Sequence, residues 1–154
     1  MTGAQAQSVP AVDREQILEV LSRYVQVVDN GAWGEETTVF TADATMGAAP
    51  IASIHDSYLS RPVPLFPHQC TDAVMVTTQP GVVRVWSKFF TVRADGTVTS
   101  GDYLDTFVRS EEGEWRISHR DAHLGNRPPT DPFGESRRIF TSDLWRERSL
   151  ATDD

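Results

Sequence analysis

The sequence predicts an α+β domain in which about three N-terminal helices pack on one face of a curved antiparallel sheet, and three observations carry that prediction. Ile17, Leu21, Tyr24 and Val28 recur at helical spacing, with Leu18 and Val25 widening the apolar stripe. From Cys70 onward the period changes to two, and Asp95-Gly96 is the strongest short hairpin signal in the chain. Residues 101–120, GDYLDTFVRSEEGEWRISHR, hold two alternating runs around the polar, glycine-containing turn Glu111-Glu112-Gly113-Glu114.

In chain order, residues 1–12 are small and polar and are expected to be disordered. Asp13 followed by Gln16 resembles a capping box, which makes Asp13 the predicted N-cap of the first helix. That helix should stop near Asn30-Gly31, with glycine as the left-handed cap. Asp29 then falls on the last turn, where a carboxylate opposes the helix dipole. It therefore either faces water or is favoured by a partner. Residues 33–40 suit a short second helix or 3-10 turn anchored by Trp33 and Phe40, and residues 41–46 read as a turn into a strand. Ile51, Ile54 and Tyr58 keep helical spacing for two turns, after which Pro62, Pro64 and Pro67 forbid regular structure up to His68. Four strands should then form an antiparallel meander over residues 71–123. Beyond it, residues 126–132 read as a linker, and residues 142–150 as a short helix capped by Ser142. Phe133, Phe140 and Trp145 point to an extension (125–154) that docks in part on the domain or across a dimer.

The 154 residues fit one domain, predicted at 13–124, and are enough to close a core without staples. Aspartate and glutamate number 22 against 14 lysines and arginines, a net charge of −8, which argues against a nucleic-acid partner. Cys70 is the one cysteine, so no internal disulfide and no thiolate metal cluster is expected. The amino terminus lacks a basic segment followed by an apolar one, and no run reaches membrane-spanning length, so no membrane partner and a cytoplasmic location are the expectation. Residues 82–90 are apolar on both alternating sets, more than a one-sided sheet requires, which predicts a homodimer through the outer face.

Alternation sets Asp105 between Tyr103 and Phe107 on one face, and His119 on the face of Trp115 and Ile117. A carboxylate and an imidazole on an aromatic face are costly in a plain core unless they are paired. They mark either a pocket or a sheet edge whose polar residues meet water.

The order of a helix ending RYVQVVDNGAW, a TADATM turn, a proline-flanked PHQCTDAVM and GDYLDTFVRSEEGEWRISHR resembles the SnoaL-like branch of the nuclear transport factor 2-like superfamily. That superfamily includes polyketide cyclases, scytalone dehydratase, ketosteroid isomerase, limonene epoxide hydrolase and dioxygenase beta subunits. The resemblance spans roughly residues 13 to 123 and implies a cone-shaped fold with a deep apolar central pocket. It implies that Asp29, four positions before Trp33, is the acidic residue at the pocket mouth. It also implies that His68 is a histidine directed into the cavity, that Tyr24 lines the wall a turn earlier, and that Asp105 lies near a pocket asparagine of the dehydratase. Val28 stands where the dehydratase has a tyrosine, and Gly101-Asp102 where it has a second catalytic histidine; His119 is then a replacement imidazole from another strand.

On this reading His68, Asp29 and Asp105 are the catalytic candidates, and Tyr24, Trp33, Tyr58, Tyr103, Phe107 and His119 the substrate-binding ones. The implied function is acid–base catalysis on a hydrophobic cyclic or polyketide-like small molecule, as cyclase, dehydratase or isomerase, which needs no cofactor. The alternatives are an epoxide hydrolase or epoxide-opening cyclase, and a non-catalytic ligand-binding or beta-subunit-like domain. The epoxide chemistry usually uses an Asp-Arg-Asp relay, for which Arg84, Arg109 and Arg120 are candidates by type. His55, His68, His119 and His123 form no tight metal-ligand motif, and the chain has no phosphate-binding glycine loop.

Overall fold

The computed structural model of the chain describes residues 8–59 and 67–126. Helix α1 runs Ala11–Asp29 and buries Ile17, Leu21, Tyr24 and Val28 as predicted, but the stripe widens through Val20 and Val27, while Leu18 is exposed and Val25 half-buried. Its start differs from expectation. Pro10 occupies the N-cap without a side-chain cap, so Ala11 and Val12 are helical and Asp13 lies in the first turn. Asp13 Oδ1 instead accepts a hydrogen bond from Trp115 Nε1 at 3.1 Å and lies 3.5 Å from Arg109 Nη1, tying the helix start to the far hairpin. Proline supplies a preset φ and needs no N–H partner, which frees the carboxylate for that task.

The other end behaves as predicted. Gly31 has φ +63, Ala32 N–H bonds to the Val27 carbonyl at 2.9 Å and Gly31 N–H to that of Val28 at 3.3 Å, the paired bonds of a Schellman motif. A 3-10 helix follows over Trp33–Thr38, then strand β1 (Phe40–Met46), the two-residue β2 (Ala49–Pro50) and helix α2 (Ile51–Leu59). Strands β3 (His68–Gln79), β4 (Val82–Val92), β5 (Val98–Arg109) and β6 (Trp115–Asn126) form the predicted meander, somewhat longer than expected.

The six strands form one curved, unclosed sheet in the order β2-β1-β6-β5-β4-β3. The sheet is mixed rather than wholly antiparallel. Strand β1 lies parallel to β6, with Phe40 beside Ile117 and Met46 beside Arg120. Its concave face buries Val83, Val85, Ser87, Phe89 and Thr91 from β4 and Thr99, Tyr103, Asp105 and Phe107 from β5, and α1 packs across it.

Gly101 shares the concave face with Tyr103, two residues away on β5. A Cβ there would stand 2.0 Å from the His123 carbonyl oxygen and 2.8 Å from the Phe89 ring. The first contact is backbone and cannot swing aside. Gly101→Ala is expected to lower stability by about 1–3 kcal/mol or more, read as a shift in the urea midpoint. An unchanged midpoint would show that β6 yields at no cost.

On the outer face Val74, Phe90, Val92 and Val98 are exposed. Trp86 Nε1 donates to Asp102 Oδ1 at 2.9 Å, and the Lys88 ammonium pairs with the same oxygen while lying over the Trp86 ring. Residues 1–7, 60–66 and 127–154, with Phe133, Phe140 and Trp145 of the extension, lie outside the described residues.

Candidate active site

Two polar clusters sit on the side of the sheet that α1 covers. The first joins the end of α1 to the start of β3. Asp29 Oδ2 accepts the His68 backbone N–H at 2.6 Å, and Oδ1 lies 2.5 Å from His68 Nδ1. The helix end that makes Asp29 unfavourable by its dipole is thus offset by two donors from one residue. The side chains of His68 and Asp29 are 14% and 18% exposed. An ionised Asp29 requires the proton on Nδ1, which leaves Nε2 of the neutral ring as the acceptor. Nε2 has no hydrogen-bond partner among the described residues.

The second cluster depends on an irregularity in β6. Phe107 pairs with Ile117, but Thr106 pairs with His119, so Ser118 is an extra residue and the strand bulges. One inserted residue reverses the alternation. Arg120 therefore turns inward opposite Asp105, and His119 leaves the face of Trp115 and Ile117. This corrects the sequence expectation for His119. It bonds through Nδ1 to Thr45 Oγ1 at 2.7 Å, lies 3.3 Å from Asp121, and is half-buried.

Arg120 is fully buried. Its Nε and Nη2 donate to the two oxygens of Asp105 at 2.6 and 2.7 Å, a bidentate ion pair with both side chains inaccessible. The guanidinium carbon lies 4.0 Å from the ring centres of both Tyr24 and Tyr103. Tyr103 stacks on Phe89 at 4.3 Å, and Tyr24 meets Phe40 edge-on at 5.9 Å. Desolvation pushes the Asp105 carboxyl upward against the pull of Arg120. Desolvation also opposes the charge on Arg120, but the Asp105 carboxylate outweighs it and holds the guanidinium above its ordinary range. With both fork bonds made, the pair is ionic. Arg120 Nη1 is buried and has no hydrogen-bond partner among the described residues, a state that costs about 1–3 kcal/mol for a polar group.

Cys70 lies between the clusters, two residues after His68 on β3, and its thiol is 3.3 Å from Ser87 Oγ. Burial pushes the thiol up, the Ser87 hydrogen bond and the charge of Arg120 pull it down, and Asp105 adds to the rise. The folded chain therefore keeps the Cys70 proton at a pH where the unfolded chain has lost it. The associated stability is fully present below about pH 8.5, the unfolded value, and declines as pH rises through the folded value. Alkylation by iodoacetamide should show a midpoint above that of a free thiol. A midpoint at or below it would show a thiolate stabilised in place.

The remaining predicted residues divide. Tyr24 and Tyr103 hold Arg120, whereas Phe107 is a core residue. Trp33 is buried and stacks on His55 at 5.0 Å, and His55 Nδ1 lies 3.2 Å from Glu36. Tyr58 belongs to α2, but its side chain lies outside the described residues. Arg109 is exposed and bonds the Gly113 carbonyl, so of the three candidate arginines Arg120 alone pairs with Asp105. Spacing did not single out Arg120. A strict period of two would have buried His119 and left Arg120 outside, so alternation pointed away from it. Among the described residues no group of three or more His, Cys, Asp and Glu side chains is placed to hold a metal ion, and no helix is long and apolar enough to cross a membrane.

A family model described as a SnoaL-like domain matches residues 10–121. No curated protein matches the chain. Among solved structures, a protein of unknown function with a cystatin-like fold from Nostoc punctiforme superposes with a TM-score of 0.68 at 15% identity, over 83% of this chain and 100% of that one. A hexachlorocyclohexane dehydrochlorinase from Novosphingobium barchaimii gives 0.62 at 16% identity, over 79% and 92% of the two chains. ActVI-ORFA from Streptomyces coelicolor gives 0.60 at 18% identity, over 72% and 96%. At these identities the structural likeness is one of fold.

Proposed function

The chain belongs to the SnoaL-like domain family of the nuclear transport factor 2-like superfamily, and from that premise we propose that it is an acid–base enzyme, needing no cofactor, that acts on a hydrophobic cyclic or polyketide-like small molecule as a cyclase, dehydratase or isomerase. The observation that carries this reading is the His68–Asp29 pair, 2.5 Å apart, at the junction of α1 and β3. In this mechanism His68 Nε2 takes a proton from a carbon beside a carbonyl group. The C–H electron pair becomes the enolate C=C bond, the carbonyl π pair moves onto oxygen, and the imidazolium so formed is stabilised by Asp29. Returned to a leaving hydroxyl, the same proton completes a dehydration; returned to another carbon, it completes an isomerisation. Because both Asp29 oxygens are taken by His68, Asp29 is a positioning residue and His68 the proton-transfer group. Tyr24 and Tyr103 offer aromatic wall on the same face, and Asp105 acts through Arg120.

Epoxide opening is the second reading, favoured by the Asp105–Arg120 pair. Among the described residues Arg120 binds one carboxylate, not the two of an Asp-Arg-Asp relay, so it ranks behind proton transfer. The experiment is deuterium exchange of the α-protons across a series of one- to three-ring ketones. At least one should exchange faster with the protein than in buffer, and His68→Ala should abolish the gain. If the acceleration were absent throughout, or unchanged in the variant, the acid–base reading would fail.

The same proposal includes a homodimer. Val74, Phe90, Val92 and Val98 leave an exposed apolar area on the outer face, suited to a second copy. Light scattering at micromolar concentration should give twice the chain mass, and the mass of a single chain would remove the dimer.

A further inference from the structure

We propose that Arg120 Nη1 is the receptor for a carbonyl oxygen, so that the site selects ketones whose C=O reaches the guanidinium held between Tyr24 and Tyr103. The inference deepens the acid–base reading and rests on it for the chemistry after binding. Four features of the cluster converge on it. Nη1 is buried and unpartnered among the described residues, while the other two donor nitrogens of the fork are committed to Asp105. What the position lacks is an acceptor. Charge is already balanced inside the pair, which favours a neutral carbonyl oxygen over a full anion such as a carboxylate or phosphate. The two tyrosine rings, each 4.0 Å from the guanidinium carbon, and the bidentate bond fix the plane of the group, so the free N–H directions are set before a ligand arrives.

Access and scale fit as well. Ala122 pairs with Tyr103 and so shares the inward face with Arg120, two residues along β6, yet it is exposed. Solvent therefore reaches the concave side one step from the orphan donor. Tyr24, against Arg120, and Asp29, against His68, are five residues apart on α1, about 7.5 Å along the axis. With a contact of about 3 Å at each end, that separation leaves the span of a C=O and its adjacent carbon, so one ketone can place its oxygen on Nη1 and an α-C–H bond near His68 Nε2. As the carbon loses its proton, negative charge grows on the oxygen, and a charged donor already aimed at it stabilises that change.

The test compares 1-tetralone with tetralin, the same two-ring frame without the oxygen, by titration calorimetry. The wild-type protein should bind the ketone about tenfold or more tightly. In the double variant Asp105→Leu/Arg120→Met, which removes both charges together, that preference should vanish while tetralin binding stays. A preference that survives in the variant, equal binding of the two probes by the wild type, or no binding of tetralone up to its solubility would each overturn the proposal. A second arm needs no variant: in 15N-arginine-labelled wild type, the Arg120 Nη1 signal should move with tetralone and stay with tetralin. Failure of both probes to move it would equally overturn the proposal. His68→Ala should keep the ketone preference. Loss of α-proton exchange with that preference retained belongs to the acid–base reading; loss of the preference alone belongs to this one.

Discussion

Arg120→Met is expected to lower the free energy of unfolding by about 3–5 kcal/mol, the usual cost of leaving one partner of a buried ion pair uncompensated. The Asp105 carboxylate would remain fully buried with its two donors gone. Asp105→Leu should be costly for the mirror reason, since the guanidinium would then keep only the faces of Tyr24 and Tyr103. The double variant should recover much of the loss, because hydrophobic side chains of similar volume often replace a buried pair at little cost. Urea unfolding of the four proteins closes the cycle. Single variants that each cost less than about 1 kcal/mol, or losses that simply add, would mean that the pair is solvated and not a closed unit.

His68→Ala should reduce turnover by at least about a hundredfold on any substrate whose reaction needs proton transfer. Asp29→Asn should cost a similar factor, through the tautomer and charge of the imidazole and not through contact with the substrate. Both Asp29 oxygens are bound to His68, one to its backbone N–H and one to its ring. The two effects should therefore not multiply: His68→Ala/Asp29→Asn is expected within a few fold of His68→Ala alone, since groups acting as a unit are not additive. Near-normal rates in both single variants, with the fold intact, would mean that the concave face works by shape. A double variant far slower than either single would give Asp29 a role of its own.

Much of the scaffold was legible in residue order. The stripe from Ile17 to Val28, the glycine stop at Gly31, the Asp95-Gly96 turn and the alternation of β4 and β5 are local signals, and the structure follows each. The pairing of Asp29 with His68, 39 positions apart, had no local signal; it came from the resemblance to a family. Asp13 showed the limit of a local rule. A serviceable capping pattern was overridden by Pro10 and by a donor from Trp115, 102 residues away.

The sequence by itself determined the first helix, the four-strand meander with its turns, and that Asp105 would stand on an aromatic face. Helical periodicity, β-alternation and turn chemistry act over a few residues, so they can be read without knowing what lies opposite. Only the tertiary structure decided that the partner of Asp105 is Arg120 and not His119. A single extra residue at Ser118 reverses every side chain after it, and whether a strand absorbs such a residue depends on the register of both neighbours. For β6 those neighbours are β5 and the parallel β1, which arrives from the other end of the chain.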